Sequence, residues 1–282
     1  MLILVRVLYG ESVPRKVTVC PIFHFQLEEE GEREFQISDQ ITLRKIKADE
    51  LTKMKEPFCI SFLGESASLL NSQTFVFEVN HGNFAEASRQ VYYALLAMRL
   101  FKKGSVFCKN FWIEENSKIS QFFTINPPIP WRRSKYSLSI SEIDEIKKLL
   151  DKITNIELSA RSKRAYRVAC ERFSRSFEER RDDDKIIDLA IAFESLFTDE
   201  KTSRSNVMGE LIGLGCSMLL GTDQKERDDI KQFFKLTYNI RNKIIHGSEF
   251  ETPVRINNQE YQISDISSQL QEYLRGSIKK LL

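Results

Sequence analysis

The spacing of apolar residues changes along the chain, and the change comes near residue 126. Before it, short runs alternate or stay continuously apolar, as strands do. Met1 to Tyr9, Val17 to Leu27, Thr42 to Ile46, Phe58 to Leu63 and Thr74 to Val79 are predicted strands. Pro21 places its strand at an edge or a bulge, because proline has no amide to donate. The acidic stretch Glu28 to Glu32 holds Gly31 and is predicted to be a hairpin tip. One helical pattern interrupts this half, from about Phe84 to Phe101, with Asn83 as its cap and Gly104 as its stop. Ser105 to Cys108, Phe111 to Glu114 and Ile119 to Ile125 then return to the strand period.

Asn126-Pro-Pro-Ile-Pro-Trp131 breaks the pattern, because proline interrupts helices and central strands alike. After it the period is helical throughout. Helices are predicted over about 142–153, 162–179, 185–197, 206–220, 224–246 and 265–282. The third is apolar nearly all round and should be central. The fourth carries Gly209, Gly213 and Gly215, which would let a neighbouring helix come close. The fifth starts behind Asp223, with Glu226 placed for a capping box, and stops at Gly247. The expected fold is therefore α+β: a β-rich domain over 1–126 with one long helix, a proline-rich linker over 127–139 and an all-α domain over 140–282.

Composition narrows the class without naming a function. Of 282 residues, 41% are apolar and 29% charged, which suits a globular chain. A formal net charge of +2 excludes a strongly basic nucleic-acid packaging protein but leaves room for a local basic face. Five cysteines form no C-x-x-C pair, so neither a disulfide framework nor a zinc site is expected, and a cytoplasmic setting is. No run is long enough to span a bilayer as a helix.

Candidate chemistry sits at the end of the fifth helix, in Tyr238-Asn239-Ile240-Arg241-Asn242-Lys243-Ile244-Ile245-His246-Gly247. At ~100° per residue Arg241 lies near the middle of the apolar face, where a guanidinium needs a partner or an anionic ligand. Asn242 and His246 are spaced i, i+4 and share a face. Histidine is the residue whose ordinary titration falls near neutral pH, so it can move a proton at a ribose hydroxyl or a leaving oxygen. An arginine can hold the non-bridging oxygens of a phosphate, and an asparagine can orient either group. Arg241 and His246 point ~140° apart on one helix, so two helices across a two-fold axis would have to share one cleft.

Arg241 and His246, with four residues between them at the end of a long helix, resemble the signature of the HEPN superfamily. "DLAIAFESLF" at Asp188 to Phe197 and "LTYNIRNKIIHG" at Leu236 to Gly247 resemble its ApeA-like branch. The resemblance covers roughly 162–282. It implies a metal-independent endoribonuclease that needs no cofactor and leaves 2′,3′-cyclic phosphate ends. It further implies a toxin or anti-phage setting, a homodimer with a composite site, and an antitoxin or phage-derived trigger as a partner. Arg241, Asn242 and His246 become the catalytic set, with Glu194 and Tyr238 in support. Arg164, Arg167 and Lys243 are candidate RNA contacts, drawn from this stretch and from 161–181, where eight bases face three acids. Trp131-Arg132-Arg133 could clamp a nucleotide or dock on a neighbouring domain.

Each feature also has a structural reading. Arg241 could sit in a buried ion pair, Glu194 could be its partner or another base's, and His246 could stabilise the helix C-terminus through the dipole. The basic stretch could be a solvated helix face. The alternative function is then a non-catalytic dimerisation or RNA-binding module, since such domains also occur as scaffolds.

Overall fold

A computed structural model of the chain describes residues 16–29, 31, 34–56, 59, 61, 68–80, 84–115, 118–124, 135–198, 207–249, 252–256 and 259–282. The chain divides into two compact units, Met1–Asp151 and Lys152–Leu282. The fold is mixed α and β, with an antiparallel sheet in the first unit and helices dominating the second.

The first unit is built on strands β1 (Lys16–Phe23), β3 (Glu34–Gln36), β4 (Ile41–Lys45), β5 (Phe75–Val79), β6 (Phe107–Cys108), β7 (Asn110–Glu115) and β8 (Lys118–Thr124). Their order is β3-β4-β5-β1-β7-β8, with β6 also paired to β1, and every pairing is antiparallel. Pro21 therefore lies in a central strand, not at an edge. It is tolerated because β1 changes partner there: Val19 faces Trp112 on β7, whereas Ile22 faces Cys108 on β6. Three steps along β1 match four on the other side, an irregularity of the kind that spares a missing amide. His24 follows with φ at +58° and turns the chain into β2 (Phe25–Leu27), which pairs in parallel with β9 (Tyr136–Leu138).

Residues of β1 and β5 are buried on both sides of the sheet. One face carries Val17, Val19, Val76 and Trp112 in a cluster with Met54 of α1 (Ala48–Met54). Helix α2 (Phe84–Phe101) packs on β1 and β5, and its Phe84 ring meets Phe111 edge-on at 5.5 Å. Arg44 crosses from β4 to α1. Its Nε donates to Glu78 at 2.8 Å, and its two terminal nitrogens donate to Glu50 at 2.9 and 2.5 Å. Helix α3 (Ile143–Thr154) buries Ile143, Ile146, Leu150 and Ile153 along one stripe and runs across the boundary between the units.

Most of the expected linker, 127–139, lies outside the described residues, as do Trp131-Arg132-Arg133, Met1 to Tyr9 and Asn83. Its final residues are strand β9, which belongs to the first unit. Of the expected strand Phe58 to Leu63, the two described residues, Cys59 and Ser61, are helical, which corrects that assignment.

The second unit holds α4 (Ala160–Ser176), α5 (Asp182–Phe197), α6 (Met208–Leu220), α7 (Gln224–Ile245), the hairpin β10 (Val254–Ile256) and β11 (Gln259–Tyr261), and α8 (Ile263–Leu281). Helix α5 is central, as its apolar surround predicts, and packs against α4, α6, α7 and α8. Its Phe193 ring meets Phe234 of α7 edge-on at 4.7 Å, and Phe234 lies 5.7 Å from Tyr273 of α8. Asp188 is buried on α5 and held by Arg172 at 2.7 Å and Arg175 at 3.3 Å, both from α4. No helix among the described residues is long and apolar enough to cross a membrane.

Candidate functional site

The site is set by how α7 begins and how it ends. At the start, the Asp223 side chain accepts the Glu226 amide at 2.8 Å, and the Glu226 carboxylate reaches back to the amide and hydroxyl of Thr222. Those contacts satisfy donors that the first turn leaves open, and the Thr222 amide and hydroxyl lower the Glu226 carboxyl from its ordinary value. At the end, His246 is the cap. The Gly247 amide donates to Ile244 at 3.2 Å and the Ser248 amide to Lys243 at 2.8 Å, with Gly247 at φ +64°. This paired reversal is a Schellman motif, and the positive φ is why glycine stands there.

Between those ends, α6 fixes α7 sideways. A Cβ built on Gly209 would lie 2.8 Å from the Cβ of Tyr238, and one on Gly213 would lie 3.1 Å from the Cα of Lys231. The glycines let the two helices meet backbone against side-chain root, as the sequence predicts. Gly215 serves another neighbour, Phe197 of α5, at 2.6 Å from such a Cβ.

Tyr238, Arg241 and Glu194 form one cluster. Arg241 Nη2 donates to Glu194 Oε1 at 3.1 Å, and Nη1 donates to Asn242 Oδ1 at 3.1 Å. The guanidinium lies 6.0 Å from the centre of the Tyr238 ring, at the outer reach of a cation–π contact. Arg241 Nε is buried and has no hydrogen-bond partner among the described residues. The Tyr238 hydroxyl donates to the Ala190 carbonyl at 3.2 Å. Burial, and then the neighbouring Glu194 carboxylate, push that phenol well above its ordinary range, so it stays protonated and can only donate or be donated to. Arg241 and Glu194 are less buried than their apolar neighbours suggest: their side chains are 24% and 26% exposed. The arginine sits at the rim of the apolar face, with its inner nitrogen sealed and its outer edge facing solvent.

His246 stands exposed at the mouth of the helix, and its imidazole accepts or donates no hydrogen bond among the described residues. Asn242 is exposed one turn earlier. The structure thus joins Glu194, Tyr238, Arg241 and Asn242 by direct contacts and leaves His246 beside them without one. The proposed RNA contacts divide. Arg164 is exposed without an ion pair among the described residues, whereas Arg167 lies 3.6 Å from exposed Glu171. Both lie on α4, which meets the distal part of α5 where Ser195 donates to the Ala165 carbonyl at 3.2 Å. Arg172 and Arg175, from the same basic stretch, are engaged by Asp188.

Lys243 lines a groove that the sequence reading does not anticipate. After Gly247 the chain folds back along α7, and the two walls enclose about 910 Å³. Arg255 reaches it from β10. The available signal was Asn257-Asn258 between two short β-prone triplets, the pattern of a hairpin turn. Comparison with family models, with curated proteins and with solved structures finds no match to this chain.

Proposed function

We propose that the second unit is a metal-independent endoribonuclease of the HEPN type. In this reading the ribose 2′-oxygen attacks the adjacent phosphorus, the 5′-oxygen leaves, and a 2′,3′-cyclic phosphate remains. His246 moves the proton at the attacking or leaving oxygen. Arg241 meets the charge that builds on the non-bridging oxygens. Glu194 and Tyr238 hold the guanidinium from behind, and Asn242 aligns its outer nitrogen. The observation that carries the reading is the state of Arg241: it is half-buried, oriented by fixed partners, and still has donors to spare.

A second copy completes the site in this proposal. Arg241 and His246 lie ~140° apart around one helix. Val207, Leu214 and Met218 leave an apolar stripe exposed on the helix that packs against α7, which supports subunit pairing on this side of the unit. A toxin or anti-phage role, with the first unit sensing an inhibitor or a trigger, follows from the HEPN resemblance.

The test is incubation of total RNA with the purified protein in EDTA, beside Arg241→Ala and His246→Ala. The reading expects cleavage with cyclic-phosphate ends and a loss of about 10²–10³ in rate for each variant. Identical RNA profiles for all three proteins exclude it. The competing reading, a dimerisation or RNA-binding module without catalysis, is favoured by the bare imidazole of His246 and by the Glu194 partner that Arg241 already has. It expects both variants to lower the melting temperature and neither to change any RNA.

A further inference from the structure

The fold-back after Gly247 builds a trough beside the candidate site. Its floor is apolar: Leu236 and Ile240 from α7, and Val254 from β10. Its rims carry Asn239, Lys243 and Arg255, all exposed. Leu236, Ile240 and Lys243 recur at helical spacing, so the trough runs along α7 rather than across it. Asn242 lines the same trough and accepts from Arg241 at 3.1 Å, so one end opens directly onto the guanidinium cluster.

We infer that this trough holds single-stranded RNA flanking the scissile phosphate. The inference rests on the nuclease reading for its substrate and adds the path of the strand. Two cations on the rim suit phosphates, the carboxamide of Asn239 offers both a donor and an acceptor to a base edge, and the aliphatic floor accepts an unstacked base face. An unpaired strand fits better than a duplex, because only an unpaired strand presents free base edges and faces together. Glu249 on the trough and the Arg255–Glu260 pair at 3.0 Å temper the positive field. Both partners of that pair are exposed, so Arg255 can turn to a phosphate at little cost.

The experiment measures fluorescence anisotropy of a short labelled single-stranded RNA of mixed sequence, in EDTA, on the full chain with His246→Ala. The Lys243→Glu, Arg255→Glu double variant should bind at least about tenfold more weakly, and its salt dependence should flatten by about 1.4, two contacts at about 0.7 each. Lys225→Glu with Lys279→Glu, equally exposed but away from the trough, should lose less than about twofold. Should the charge reversal unfold the protein, Lys243→Gln with Arg255→Gln takes its place and should lose about half as many decades. Binding unchanged in the trough variant, or lost equally in the control pair, overturns the inference. The two proposals separate cleanly. RNA bound through the trough but never cut by the wild-type chain removes the nuclease and keeps the trough. RNA cut equally by the wild type and the trough variant removes the trough and keeps the nuclease.

Discussion

Arg44 and Arg241 are both arginines held by glutamates, one in each unit, and they are finished to different degrees. Arg44 is 5% exposed; Glu50 takes two of its nitrogens, Glu78 a third, and the Lys45 carbonyl accepts as well. Glu50 also accepts the Lys47 amide and so starts α1. Four of its five N–H donors are thus taken, and burial keeps the group from a ligand. Arg241 has one carboxylate, one carboxamide, a buried Nε without a partner and an edge in solvent. A saturated cation ties elements together. An unsaturated but oriented one is preorganised for an anion that arrives later, because its remaining donors need not be pulled away from other partners.

The comparison breaks most easily through stability. Arg44→Met takes from buried Glu50 and Glu78 the guanidinium that ties them together and should cost about 3–5 kcal/mol in urea unfolding. Arg241→Met removes a partly exposed pair and should cost about 1 kcal/mol in the same assay. Similar losses would show that Arg241 is a structural tie after all. Gly209→Ala tests the support behind Arg241: its new methyl meets Tyr238 at 2.8 Å, so about 1–3 kcal/mol is expected, with a fall in any cleavage activity. Gly247→Ala meets nothing within 4 Å and should cost only about 1 kcal/mol, because φ +64° alone opposes it.

The smallest expected effect is one where the two units agree. Burial pushes Cys170 and Cys216 up to about 12, and burial followed by the neighbouring Cys108 thiol raises Cys20. At pH 8 a disulfide reagent should leave all three untouched until the protein unfolds. Because these folded values lie above the ordinary thiol range, stability is retained below about pH 9 and declines as pH rises toward 12. Rapid reaction of any of the three at pH 8 would show that its unit opens locally.

How much could be read from sequence depended on length. Helices of three turns and more announced themselves by period, by Asp223 and by Gly247, and the glycines of α6 announced a close neighbour. Helix α1 escaped because it spans less than two turns and begins at Lys47, which is not a usual cap residue; its start depends on Glu50, whose carboxylate is fixed by Arg44 from another element. Strands β3, β9, β10 and β11 are three residues each, too short for alternation to register. At the site, the Arg241–Glu194 contact was foreseeable, since an arginine and a glutamate set among apolar residues on two helices must find a partner. The trough was not, because Arg255 comes to it by chain reversal, and nothing local in the sequence states where a returning strand will lie.

That reversal has a further consequence. Since the helix stops one residue after Ile245, the azimuth of His246 relative to Arg241 depends on residue count alone. One inserted residue would swing the imidazole by ~100° and lift it by ~1.5 Å while the glycine stop simply moved along. Any cleavage activity should then tolerate substitutions at Ile244 and Ile245 and no change in the number of residues between 241 and 246.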